Sequence, residues 1–161
     1  MKYVFNDFYT VHAPFWLAYS DDIHSPPGPN IMQTTDIHSA LDDILNQQQI
    51  PLEDVLDRHF SIDYRQRTNG TWDDRAAFAH HATKLRAVVA SARIEVLDEL
   101  RDGKRYADRH RVHIIKRDGS TVVQEVYLFA EMNADGRFAR IEETTLMLEG
   151  ADADRDMGSM K

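Results

Sequence analysis

From residue 36 onward the apolar positions recur first at helical spacing and then in alternation. Ile37, Ala40, Leu41, Ile44 and Leu45 share one face of a helix, and Thr35 or Asp36 stands where a capping side chain belongs. A second, short helix is expected from Pro51, a residue suited to a first helical position, with Leu52, Val55 and Leu56 as its inner face. His59 to Arg67 alternates as a strand does, and Asn69-Gly70 ends it. Thr71-Trp72-Asp73-Asp74 then reads as the opening of a third helix, with Thr71 as cap and acidic residues in the first turn. Phe78, His81, Ala82, Leu85, Val88 and Val89 lie on one face of that helix, and His80 falls on its solvent side.

Beyond the third helix the pattern is β. Asp102-Gly103, Asp118-Gly119 and Asp135-Gly136 punctuate four alternating segments at about 92–101, 105–117, 121–133 and 137–149. Asp-Gly between alternating runs signals a tight hairpin, because both residues tolerate positive φ. Strands of that length must twist and bend. The fold class is therefore α+β: three N-terminal helices on a curved, mostly antiparallel sheet, a cone-shaped α+β barrel around a small pocket.

The flanks differ. Ser25-Pro26-Pro27-Gly28-Pro29-Asn30 cannot be helix or central strand, and it sets apart an arm bearing Tyr3, Phe5, Phe8, Tyr9, Phe15, Trp16 and Tyr19. Such aromatic area calls for cover, from the domain or from a second subunit. The expected organisation is an aromatic arm over 1–35, one domain over 36–149, and a frayed acidic tail over 150–161.

Composition narrows the function classes. A formal net charge of -8 with no basic stripe argues against nucleic acid and anionic membrane surfaces as partners. The absence of cysteine removes disulfides, thiolate nucleophiles and cysteine-held metal. No stretch is long enough to span a membrane, and the N-terminus lacks the clean apolar core of a signal peptide; a cytoplasmic protein is expected. His80-His81 and His110-x-x-His113 lack the spacing of metal ligands, and no His-Glu-x-x-His, glycine-rich phosphate loop or Gly-x-Ser-x-Gly is present. No metal and no cofactor are expected.

The element order, with Asn69-Gly70 before the long helix and Ala134-Asp135-Gly136-Arg137-Phe138-Ala139-Arg140-Ile141-Glu142-Glu143 at the last strand, resembles the nuclear transport factor 2-like superfamily over roughly 36–149. Within it the nearest likeness is to SnoaL-like polyketide cyclases and to the ketosteroid isomerase and limonene epoxide hydrolase types. In the epoxide hydrolase type a catalytic carboxylate stands where Glu143 stands here, so the resemblance implies that this face of the last strand lines the pocket. One gap-free hairpin register then turns Val123, Glu125, Tyr127 and Phe129 inward from the preceding strand, Tyr106, Asp108, His110, Val112 and Ile114 from the strand before it, and Ile62, Tyr64 and Gln66 from the first strand. The chain departs from the epoxide hydrolase type at His110 and Val112, where that type pairs Arg and Asp.

The expected catalytic residues are Glu143, His110 and Asp108. Those expected to bind substrate are Tyr64, Gln66, Phe78, His81, Glu125, Tyr127, Phe129 and Ile141. A desolvated carboxylate has a raised pKa, and a histidine beside a carboxylate is a proton-transfer pair. Together they suit enolisation, dehydration, aldol cyclisation or epoxide opening of a small hydrophobic molecule. The expectation is a cofactor-independent acid–base enzyme of isomerase, dehydratase or cyclase type, acting as a homodimer. The alternative is a non-catalytic ligand-binding or protein-interaction module of the same fold.

Overall fold

A computed structural model describes residues 34–159 of the chain. The aromatic arm lies outside the described residues, apart from its last two positions. Helices α1 (Ile37–Leu45) and α2 (Leu52–His59) lead into strand β1 (Phe60–Thr68), then β2 (Thr71–Asp74), helix α3 (Arg75–Val88), and four long strands: β3 (Val89–Asp102), β4 (Arg105–Lys116), β5 (Thr121–Met132) and β6 (Phe138–Glu149). The strands form one sheet in the order β2-β1-β6-β5-β4-β3. Only the β1–β6 pairing is parallel. The three helices cover one face.

Two start signals act where the side-chain chemistry is strongest. Asp36 caps α1, its carboxylate accepting from Ser39 N at 2.7 Å. The third helix begins later than expected. Asn69 and Gly70 both take positive φ, 50° and 93°, and the chain turns straight back, so that Thr71–Asp74 pairs with Arg65–Thr68 as β2. Asn-Gly therefore makes a hairpin there and not merely a strand end. The cap is Asp74, which accepts from Ala77 N at 2.9 Å, and Thr71 is a strand residue.

All three Asp-Gly hairpins close where expected. Among the described residues, however, the aspartates keep negative φ and the glycines alone supply the left-handed turn. Lacking Cβ, glycine enters that region without strain. At Gly136 (φ 79°) the hairpin also backs onto the domain's first residues: Thr35 N donates to Gly136 O at 3.0 Å.

The core lies between helices and sheet. Ile37, Ala40, Ile44 and Leu45 from α1 and Val55 and Leu56 from α2 are buried against Val112, Ile114, Val126, Leu128 and Ile141. Phe60, Tyr64, Phe78, Tyr106 and Phe138 cluster at one end, with ring centroids 4.7–5.9 Å apart. Each such pair adds about 0.5–1.5 kcal/mol beyond its burial. Arg86 of α3 ties the helices by donating to Ile44 O (2.8 Å), Ile50 O (2.8 Å) and Asp43 O (3.0 Å), carbonyls at the end of α1 and beyond it. His59, buried at the end of α2, joins Asp43 Oδ2 at 2.9 Å and the Thr35 hydroxyl.

Alternation is interrupted in β1. Ile62, expected inward, is 79% exposed: the β1–β6 register shifts between Phe60 and Arg65, and Ile62 and Asp63 turn out while Ser61 and Tyr64 stay buried. The acidic tail is not wholly frayed either. Residues 152–154 and 157–159 form short 3-10 turns, Met157 is buried, and Lys116 Nζ holds Asp154 at 2.9 and 3.1 Å. One apolar side chain and one ion pair fasten a segment whose charge alone suggested solvent.

Candidate active site

Between α1, α3 and the sheet lies a cavity of about 100 Å³. One water needs roughly 10–15 Å³ of such space, so the cavity admits a small ring or several waters. Its walls are mainly apolar, with Leu41, Phe78, Leu85, Val126 and Ile141 among them, and its polar lining comes from Tyr64, Gln66, His81, His110, Gln124, Glu143 and Thr145.

The first acid–base group comes from β4. Alternation places Tyr106, Asp108 and His110 on one face, all buried. His110 Nδ1 meets Asp108 Oδ1 at 2.9 Å, and the Tyr106 hydroxyl donates to Asp108 Oδ2 at 3.0 Å. Tyr106 in turn accepts from Ile37 N at 3.3 Å, so the first turn of α1 braces the group. Burial, then the neighbouring Asp108 carboxylate, hold the Tyr106 phenol far above its usual range, and it stays a donor. With Asp108 beside it, Nδ1 carries a proton to donate, so Nε2 is the ring nitrogen through which His110 exchanges a proton, and the ring lines the cavity.

The second group comes from β1 and β6. Glu143 Oε1 accepts from Gln66 Nε2 at 2.7 Å and from the Thr68 hydroxyl at 2.9 Å. Gln66 is itself fixed: its Oε1 accepts from the Tyr64 hydroxyl at 2.6 Å, and its Nε2 also donates to Thr68 Oγ1 at 2.8 Å. Both donors to Glu143 are neutral. Removal from water raises the Glu143 pKa; the Thr68 and Gln66 bonds and nearby His110 oppose that rise, and Asp108 adds to it. Since Oε1 receives both donors, a proton on Glu143 sits on Oε2. Burial and the nearby Glu143 charge also push the Tyr64 phenol well up.

Register relates the two groups. Asp108, Leu128 and Glu143 form one row across β4, β5 and β6, and His110, Val126 and Thr145 form the next. Two strand spacings set the β4 and β6 backbones about 10 Å apart. The imidazole and the carboxyl are thus carried on strands that flank Val126 and Leu128, and both line the cavity.

Of the sequence-derived candidates, Tyr64, Gln66, Phe78, His81, His110, Ile141 and Glu143 line this one cavity, and Asp108 stands behind His110. Glu125, Tyr127 and Phe129 do not: they occupy the outer face. Val112 pairs with Gln124, His110 with Val126 and Asp108 with Leu128, so the even-numbered residues of β5 share the face of His110. The expected register was off by one position on this strand, which exchanges its two faces. Outside, Glu125 accepts from Arg111 Nε and the Tyr127 hydroxyl, each at 2.7 Å, and Phe129 is 72% exposed. Sequence reasoning missed Thr68, Gln124, Met157 and Gly158. Thr68 was legible as the next inward residue after Tyr64 and Gln66. Met157 carried no signal in an acidic tail. Among the described residues no three metal-ligating side chains gather, and no helix is long and apolar enough to cross a membrane.

No family model matches the chain. Among solved structures, a Rhodopseudomonas palustris protein provisionally assigned as an isomerase is similar over 74% of this chain and 91% of its own, with a TM-score of 0.58 at 14% identity. An NTF2-like protein of unknown function from an Exiguobacterium species matches over 69% and 99%, with a TM-score of 0.52 at 18% identity. A Mycobacterium tuberculosis epoxide hydrolase of the LEH-like type matches over 67% and 77%, with a TM-score of 0.51 at 17% identity. At these identities the likeness is one of fold. In sequence, the uncharacterized protein C11D3.04c of Schizosaccharomyces pombe is 36% identical over 102 residues, 62% of this chain and 75% of the yeast protein. The chain thus has the nuclear transport factor 2-like fold and belongs to the family of that fission yeast protein.

Proposed function

We propose that the cavity carries out general acid–base catalysis, without a cofactor, on a small and mainly apolar molecule, as an isomerase, dehydratase or cyclase does. The observation that carries this reading is the convergence of two proton-transfer groups, Asp108–His110 and Glu143, on one mainly apolar cavity. His110 Nε2 takes a proton from a carbon next to a carbonyl. The C–H electron pair moves into the enolate, and its oxygen is met by the proton on Glu143 Oε2. In a β,γ-unsaturated ketone, return of the His110 proton to the γ-carbon moves the double bond into conjugation and, with return of the enol proton to Glu143, completes an isomerisation. The solved neighbours fit this class, since one is provisionally an isomerase and another an epoxide hydrolase.

The test is exchange of α-hydrogens for deuterium in a panel of small cyclic ketones, followed by NMR in heavy water. The protein should speed exchange above buffer for at least one ketone. His110→Gln should lower that rate by about 10²–10⁴-fold with the fold intact. Binding without exchange would identify a ligand-binding module and overturn the catalytic reading. The outer face adds a proposal about assembly. Phe129, Leu100 and Leu146 are 72%, 73% and 54% exposed there, and a second copy of the chain would cover them. Light scattering should report a dimer, and a monomer would remove this part.

A further inference from the structure

Gln124 stands on the inner face of β5, 5% exposed, and lines the cavity. Its Nε2 is buried, and among the described residues no group accepts from it. A buried amide donor left without a partner is costly to keep, so such a group asks for a reason. No structural task explains it. Gln66, the other cavity-lining glutamine, is by contrast fully engaged with Tyr64, Thr68 and Glu143. Gln124 pairs across the sheet with Val112 and Met147, among largely apolar surroundings where leucine or methionine would pack without penalty.

The C-terminal turn closes this end of the cavity. A Cβ on Gly158 would lie 2.9 Å from Thr145 Cγ2 and 3.1 Å from Gln124 Oε1, so the turn passes directly over the amide. The last side-chain torsion of glutamine is soft, so the amide of this cavity-lining side chain is free to reorient toward a bound acceptor.

We infer that Gln124 anchors an acceptor oxygen of the bound molecule, a carbonyl in particular, remote from the reacting centre. Gln124 is two residues along β5 from Val126, which pairs with His110 and Thr145, so the anchor lies about 7 Å along the sheet from the row of His110. The preferred molecule is thus a small apolar ring or chain bearing an oxygen at the end away from the proton-transfer groups. The inference rests on the reading of the cavity as the substrate site, but its test reads binding and stands apart from turnover.

The probes are cyclohexane-1,4-dione and 4-methylenecyclohexanone, which share one carbonyl, match in shape and differ by the oxygen at the far end. By nitrogen-15 NMR, the dione should shift the Gln124 side-chain amide and bind at least about tenfold more tightly than the methylene compound, the discrimination expected when a polar site meets a ligand lacking its partner. In Gln124→Met the two should bind alike. The same variant should melt at a higher temperature than the parent, because a buried donor without a partner has gone; that rise also shows that the variant is folded. Equal affinities in the parent chain, a preference that survives in Gln124→Met, or no shift of the Gln124 amide with either probe would overturn the assignment. Discrimination lost in Gln124→Met would support the anchor, and discrimination in the parent chain with no exchange would remove catalysis while leaving the anchor standing.

Discussion

Glu143 and Glu125 stand on neighbouring strands, β6 and β5, on opposite faces of one sheet. Glu143 faces the cavity, receives only neutral donors, and has its pKa raised by loss of water. Glu125 faces outward, is held by the Tyr127 hydroxyl and the Arg111 guanidinium, and has its pKa lowered by them in that order. The two residues have the same chemistry at opposite ends of its range. What separates them is one position of strand register and the helices that cover one face alone. The outer-face surroundings of Glu125 favour its charged form, and the inner-face surroundings of Glu143 favour its protonated form.

The largest effect should come from exchanging the two carboxylates for amides. Glu143→Gln retains Oε1 but cannot give or take a proton, and should slow ketone deuteration by on the order of 10²-fold or more. Glu125→Gln should leave the rate unchanged. Equal losses in both variants would erase the distinction between the faces.

Stability against pH should separate the pair in the opposite sense. The folded-state pKa of Glu143 lies above the unfolded value of about 4.3, so its contribution is whole below that pH and is lost as pH rises through the folded pKa. Glu143→Gln should therefore melt higher than the parent at neutral pH and equally in acid. For Glu125 the folded pKa is depressed; its contribution is present above about 4.3 and is lost as pH falls through the folded pKa. Glu125→Gln should thus melt slightly lower than the parent at neutral pH, with the difference vanishing in acid. Calorimetry across that range reads both signs.

The smallest effect concerns the C-terminal turn. Asp154→Asn weakens the tie to Lys116 without touching the cavity wall. Global melting should hold, while cyclohexane-1,4-dione leaves faster, a change visible in NMR line shapes. An unchanged exit rate would show that Met157 seats the turn unaided.

Much of this was legible in the sequence, and the losses have physical causes. The helices, the four long strands and the hairpins follow from periodicity and from Asp-Gly and Asn-Gly, signals that survive an error of a residue or two. The cavity face of β6 was legible through the resemblance that puts a carboxylate at Glu143, because neither parity of that strand is purely apolar, and the Asp108-x-His110 face of β4 was reached from it through the hairpin register. Which face of β5 points inward was not. Val122 to Met132 mixes apolar and polar residues on both faces, and the pairing across the Asp118-Gly119 turn depends on loop geometry that the letters do not encode. The shift in β1 that turns out Ile62 is hidden for the same reason. Gln124 was lost with the parity of β5, and Met157 because a single apolar residue in an acidic tail gives no periodic signal.

The claim beneath the rest is that Glu143 faces the cavity and holds its proton to higher pH than a solvated glutamate. Carbon-13 NMR titration of the side-chain carboxyls, assigned through Glu143→Gln and Glu125→Gln, measures this directly. The Glu143 midpoint should lie above about 4.3 and the Glu125 midpoint below it. Coincident midpoints, or the reverse order, would contradict the account.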